Sequence, residues 1–424
     1  MRRPAPPAKL AASYDTRSGA PEPGMSSHRR SFAFLCAGHT ATHLAMLIFP
    51  TAVLALAPAW QQGYDGLIAL GTIGFVTYAA GTLPAGWLGD RWGRTGMMTV
   101  FFIGLGLSLV LTGFARDPLE LGLGLGAIGL FSSIYHPVGI AHLVEITDRS
   151  GRAIGINGVF GNMGIAGAAI TAGALSTAFG WQAAFIVPGV AVILIGILYA
   201  LFAREKAAAA AAPVAKSTQA DATPTDQRRV FGYLVISALG TGLIFNGITV
   251  AMPALFAERL VLPDDPRLVG AAVSGVTAIA AFAQIVTGSM MNDRRVKPLL
   301  IALTAGQALL FLLIAGAGGL VAVGLALPLL LMVFGEIPAS DWLIARYTAA
   351  ANRARSYAIM YVISLGVSLL AAPLIAWFHG TSFGFTGLLL LFAGCAALIT
   401  AAGFALPGRA LAAVPSRSAA SPAE

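Results

Sequence analysis

The chain has 424 residues, of which 57% are hydrophobic and only 10% charged, with a formal net charge of +8. A soluble domain carries about a quarter charged residues, so this composition excludes a water-soluble globular protein and turns most of the chain toward lipid or other apolar helices. The two cysteines, Cys36 and Cys395, both lie in apolar segments and offer neither a disulfide framework nor a zinc site.

Residues 1–30 are basic and rich in Pro and Ala, without an apolar core, and read as a disordered cytoplasmic tail rather than a cleavable signal peptide. Apolar segments follow at 31–56, 66–88, 96–115, 118–143, 153–178 and 181–203. Each is long enough to cross a bilayer, which takes about 20 residues of helix. Residues 204–229 hold a run of alanines (Ala207 to Ala212) and then Pro, Ser, Thr and Asp, too little apolar side chain to build a core, and read as a linker. Six more segments follow at 230–257, 268–291, 298–317, 319–345, 354–378 and 383–406, before a polar tail at 407–424. Glycine is abundant, at 50 residues, as suits helices that must pack closely where lipid gives no hydrophobic drive to associate.

Six spans, a linker and six spans put both termini and the linker on one side. All but three of the 26 Lys and Arg fall on that side; Arg116, Arg259 and Arg267 fall on the other. Positive loops stay cytoplasmic, so the termini and linker are expected inside, in a bacterial inner membrane. The basic charge is a topology signal, and nucleic acid is not an expected partner.

Between spans 2 and 3 runs Gly86-Trp-Leu-Gly-Asp-Arg-Trp-Gly-Arg-Thr95. Gly86, Gly89 and Gly93 allow close packing and a tight reversal, and Arg91 and Arg94 supply the basic turn. Asp90 can accept hydrogen bonds from the free backbone donors at the start of a neighbouring helix, expected here to be span 11 near Arg355. The halves also repeat. Pro137 precedes Arg152 by the same interval as Pro338 precedes Arg353, and an offset near 201 residues sets Gly288 roughly opposite Gly86 and Asp293 opposite Asp90, one residue out of register. Together the loop and the architecture resemble the major facilitator superfamily, secondary transporters of twelve helices. The resemblance implies an all-α membrane protein of two pseudo-symmetric six-helix bundles, 31–203 and 230–406, with the solute site between them near the midplane. It also implies that spans 1, 4, 7 and 10 line the cavity.

Ionisable groups inside apolar spans are costly, about 2.5–3.5 kcal/mol on insertion scales, and default to functional candidates. Span 1 holds His39 and His43, span 4 His136, and span 10 Glu336 and Asp341. By residue count His39, His136 and Glu336 lie at similar depth, within about 10 Å at 1.5 Å per residue. Glu336 is the candidate proton carrier, with His136 and His39 assisting. A neutral glutamic acid bonded to its helix is the plainer reading. Asp341, nearer the cytoplasmic end, fits a gate or loop contact, and otherwise a further proton site. His39 and His43 at i and i+4 share a helix face and could chelate a transition metal, with His136 and Glu336 as further ligands. No Met-x-x-Met run or cysteine pair accompanies them, so solute contact, proton relay and plain packing remain beside that reading, and no resident metal is expected.

The stretch Ser132-Ser-Ile-Tyr-His-Pro137, followed by Arg149-Ser-Gly-Arg-Ala153, is similar to the fosmidomycin-resistance branch of the superfamily, which carries a Ser-aromatic-His-Pro run in its fourth helix. That branch places an acid four residues after its first-helix histidine, where this chain has His43. The span 4 arginine of many drug/proton antiporters is absent. Tyr135 joins His43 as a solute-contact candidate, with Asn246, Gln284 and Tyr361 as neutral groups in spans, each of which equally fits interhelical hydrogen bonding. Pro137 and Pro338 break the backbone ladder and fit either packing kinks or gating hinges. Glycines 155, 158, 161, 164 and 167 in span 5 read as a close-packing surface.

The expected function is proton-coupled efflux of a small organic solute by alternating access. Uptake of a solute by symport and transition-metal transport are alternatives, and a non-transporting sensor is a more distant one. No nucleophile–base spacing or cofactor loop is present, so an enzyme and a cofactor are not expected. The partners are solute, protons and lipid, and a monomer is expected. Reporter fusions at Thr218 and after Arg417 should be active only with a cytoplasmic reporter; activity of a periplasmic reporter at Thr218 would contradict the two-bundle layout.

Overall fold

A computed structural model describes residues 23–147, 150–202, 223–259, 265–292, 294–348 and 350–408. The chain is almost wholly helical. Among the described residues twelve helices are long and apolar enough to cross a membrane: spans 1 (Arg29–Trp60), 2 (Tyr64–Trp92), 3 (Arg94–Thr112), 4 (Pro118–Glu145), 5 (Ala153–Phe179), 6 (Ala183–Phe202), 7 (Pro224–Arg259), 8 (Pro266–Met290), 9 (Val296–Gly316), 10 (Gly319–Tyr347), 11 (Ile359–His379) and 12 (Gly384–Phe404). In lipid only such segments satisfy every backbone donor and acceptor internally, so this is a multi-pass membrane protein.

Several helix starts are written in the sequence as a capping residue followed by proline. Asp117 caps span 4, where its carboxylate accepts from Glu120 N at 2.8 Å and Pro118 fills the first turn. Asp265 caps span 8 ahead of Pro266 in the same way. Thr223 and Pro224 do this for span 7: the Thr223 hydroxyl accepts from Asp226 N at 3.1 Å and donates to the Asp226 carboxylate at 2.9 Å. That cap corrects the expected linker 204–229, because helix already runs from Pro224. Similarly, the first helix reaches back to Pro23, inside the expected tail 1–30. The rest of the linker (204–222), residues 1–22 and the tail 409–424 lie outside the described residues, as do Asp293, Arg149 and the side chains of Arg152, Arg353 and Arg355.

In the first half span 1 packs on span 5, span 2 on span 4 and span 3 on span 6; in the second, span 7 packs on spans 11 and 12, span 9 on span 12 and span 10 on span 8. Span 4 is not uniform. Tyr135–Gly139 form a π-turn, placed where Pro137 has no N–H to continue the ladder.

The two halves meet most closely away from the linker. Span 5 lies along span 8, where Ile170 N donates to Ser274 Oγ at 2.9 Å and Thr177 Oγ1 donates to Asp265 at 3.4 Å. A Cβ on Gly270 would run into the Ala169 carbonyl, so glycine is what lets these backbones touch. The Tyr64 ring at the start of span 2 packs at a tilt against His379 at the end of span 11, with centroids 4.9 Å apart, and His379 Nε2 lies 3.0 Å from Glu258 on span 7. These contacts seal the far side.

Gly270→Val should loosen that seal. Spin labels at Phe179 and Leu268 in a cysteine-free background should gain a longer-distance population relative to the unmodified protein. An unchanged distance distribution would show that the Gly270 contact does not hold the far side shut.

Candidate functional site

The first half brings His39, His43 and His136 together, with one candidate ligand atom from each lying within 4.8 Å of the others. His39 and His43 share a face of span 1, and the π-turn carries His136 toward them. His39 Nδ1 donates to the Asn157 carbonyl at 2.8 Å, which leaves Nε2 as the acceptor nitrogen in the neutral ring. His43 Nε2 approaches that atom at 3.2 Å. Beneath them Tyr135 stacks on His39, with ring centroids 4.8 Å apart. Its hydroxyl donates to Leu35 O at 2.7 Å and accepts from Asn157 Nδ2 at 2.8 Å. Tyr135 is fully buried, which corrects its expected place against solute: it is the floor on which His39 rests.

Glu336 sits in the second half and is also buried. Its carboxylate accepts from Thr241 Oγ1 at 2.7 Å, from Gln307 Nε2 at 2.9 Å and from Ser237 Oγ at 3.3 Å. These donors come from spans 7 and 9. The acid therefore turns toward neighbouring helices rather than to the carbonyl freed by Pro338, and among the described residues no cation or histidine bonds to it. Gln307 is fully buried, and its Oε1 has no hydrogen-bond partner. Gln307, Ser237 and Thr241 were not anticipated from sequence; an amide inside an apolar span was the one signal that pointed to Gln307.

Both clusters line one cavity of about 450 Å³, with His39, His43 and His136 on one wall and Glu336, Ser237 and Thr241 on the other. It lies on the linker side of the seal. A second space of about 240 Å³ adjoins it and shares His43, His136, Asn246 and Tyr361. Asn246 lines both and donates to Gly242 O at 2.9 Å. Gln284 also lines the larger cavity and donates to Asn162 of the other half at 3.4 Å. Tyr361 bonds Tyr78 across the halves. Asp341 is exposed, while its neighbour Ser340 faces the cavity.

In the loop between spans 2 and 3, Gly93 adopts φ +88°, the left-handed turn that reverses the chain. Gly86 and Gly89 let span 2 lie against Pro137 and Val138 of the π-turn. Arg94 ties three spans: it bonds the Ala141 carbonyl at 3.1 Å, Glu145 at 2.5 Å and Asp90 at 3.4 Å. Arg91 lies over the Trp87 ring. Asp90 is largely exposed, and Arg94 Nη2 lies 3.4 Å from its carboxylate; the side chain of Arg355, near its expected partner, lies outside the described residues.

Comparison with known proteins places this geometry. The family model described as Major Facilitator Superfamily matches residues 33–338. A probable 4-methylmuconolactone transporter of Cupriavidus pinatubonensis is 30% identical over 134 residues, 31% of each chain. A probable sulfoacetate transporter of Cupriavidus necator is 32% identical over 133 residues, 30% of each chain. The alignment thus spans about a third of these curated relatives. Among solved structures, a bacterial homolog of the human lysosomal transporter Spinster, inward-facing and unoccupied, superposes with a TM-score of 0.72 at 14% identity, covering 91% of this chain and 98% of that one. A peptide transporter POT in complex with sulfate gives 0.69 at 13% identity, covering 89% and 94%. The twelve spans, the loop after span 2 and the matched family model agree, and the chain belongs to the major facilitator superfamily.

Proposed function

We propose that this transporter moves a small organic acid across the bacterial inner membrane, with both termini cytoplasmic, by rocking residues 31–203 against 230–406, and that Glu336 couples the movement to protons. The observation that carries the reading is the shared cavity: three imidazoles on the wall of one half, a buried carboxyl on the other, and a seal on the far side. Its volume is in the range of small-molecule sites. The relatives named for 4-methylmuconolactone and sulfoacetate support an organic acid as solute, and His43, Asn246, Gln284 and Tyr361 supply polar contacts for it.

The surroundings of Glu336 serve both of its charge states. Ionised, it accepts from Thr241, Gln307 and Ser237, yet among the described residues no countercharge bonds to it, and an unpaired charge in an apolar interior is costly. Protonated, it gains a hydroxyl that a half-turn of the Gln307 amide can receive on its orphaned Oε1. The two states therefore favour different arrangements of spans 7, 9 and 10, and a proton biases which side is open. Export in exchange for protons is the direction carried by the span 4 resemblance; the same parts run as uptake when the gradients favour it.

Glu336→Gln should keep solute binding and exchange while abolishing accumulation driven by an imposed pH gradient in vesicles, measured in both orientations. A Gln variant that still drives uphill transport would move the proton to another residue, with Asp341 next. Asp90→Ala should lower transport measurably but by less than about tenfold with insertion intact, because an exposed ion pair contributes at most about 1 kcal/mol. Unchanged rates would remove Asp90 from gating.

A further inference from the structure

The histidine cluster has a geometry that solute contact does not require. We infer that His39, His43 and His136 form a binding site for one divalent transition-metal ion of the zinc type, with the fourth coordination position open to the cavity. The inference is independent of the direction and the coupling of transport.

The first argument is the tautomer. Imidazoles that ligate metals commonly donate their other ring nitrogen to a carbonyl or carboxylate, which fixes the ring and directs the lone pair. His39 does this, with Nδ1 held by the Asn157 carbonyl at 2.8 Å and the ring braced on the buried Tyr135. Its Nε2 lone pair is therefore aimed at His43.

The second argument is spacing. Zinc–imidazole bonds of about 2.0–2.1 Å set two nitrogens on a tetrahedral ion about 3.3 Å apart. His39 Nε2 and His43 Nε2 stand 3.2 Å apart. The third ring has a ligand nitrogen within 4.8 Å of those of the other two, so a movement of about 1.5 Å would bring it to the tetrahedral spacing.

The third argument is the donor set and its surroundings. Three neutral imidazoles suit zinc, copper or nickel better than calcium or magnesium. Among the described residues the cluster contains no carboxylate, and Glu336 bonds elsewhere. A bound ion would keep its full positive charge, and the open position would attract water or an anionic group from the cavity. Span 5 contributes the space: a Cβ on Gly161 would sit 2.6 Å from His39 Nε2, so only glycine there leaves the nitrogen free to take a ligand.

The test uses the full chain, purified through a tag without histidine, stripped with chelator and titrated with cobalt(II), then with zinc. One cobalt per chain should bind with the intense visible absorption of a four-coordinate site and be displaced by zinc. X-ray absorption of the zinc form should show three imidazole nitrogens at about 2.0 Å. His39→Gln, His43→Gln and His136→Gln should each weaken binding about 100-fold or more, and Gly161→Ala, which removes no ligand, about tenfold. Failure of the unmodified chain to bind, a six-coordinate cobalt spectrum, or a zinc spectrum without three imidazoles would overturn the inference whether or not any variant folds.

Discussion

Polar groups inside a bilayer have no water to fall back on, and that constraint arranges the rest of this molecule. Backbone amides meet it by forming helices. Side chains meet it by turning inward and finding one another, as Glu336 finds Thr241, Gln307 and Ser237, and as His39 finds Asn157. The lipid-facing surfaces carry exposed Leu, Ile, Val and Phe, while His39, His43, His136 and Glu336 gather around the cavity. The polar side chains thereby concentrate where the two bundles leave a gap.

The two walls of that gap differ in kind. The first half offers rings that exchange roles as donors and acceptors and are linked directly to each other. The second offers a single acid held by neutral donors. On the proposed reading, a solute between them would meet imidazoles on one side and a carboxyl on the other. The close approach of Gly270 to Ala169 and the packing of Tyr64 against His379 close the far side.

Much of the architecture was legible from sequence because it depends on composition along the chain. Span positions, the reversal at Gly93 and the grouping of His39, Glu336 and His136 around one cavity follow from hydropathy, glycine and residue counts. What was not legible depends on the rotation of each helix about its axis, where one residue shifts a side chain by about 100°. Tyr135 faces the interior and its neighbour His136 faces the cavity, a distinction that packing decides. The partners of Glu336 were hidden likewise, since Ser237, Thr241 and Gln307 are ordinary residues until spans 7 and 9 are docked. The early start of span 7 was readable after all, in the Thr223-Pro224 cap.

The π-turn at Tyr135–Gly139 has a consequence for span 4 as a whole. A single helix has one angular phase, yet this span must present His136 to the cavity and, further toward the linker side, Glu145 to Arg94 of the loop after span 2. An inserted residue in the helical ladder shifts the phase of everything beyond it by about 100°. The turn thus works as a phase adjuster, letting one helix face the cavity with its middle and Arg94 with its end. It also makes the two places mechanically dependent: rewinding the turn to a plain α-helix would rotate the Arg94–Glu145 clamp relative to the histidines.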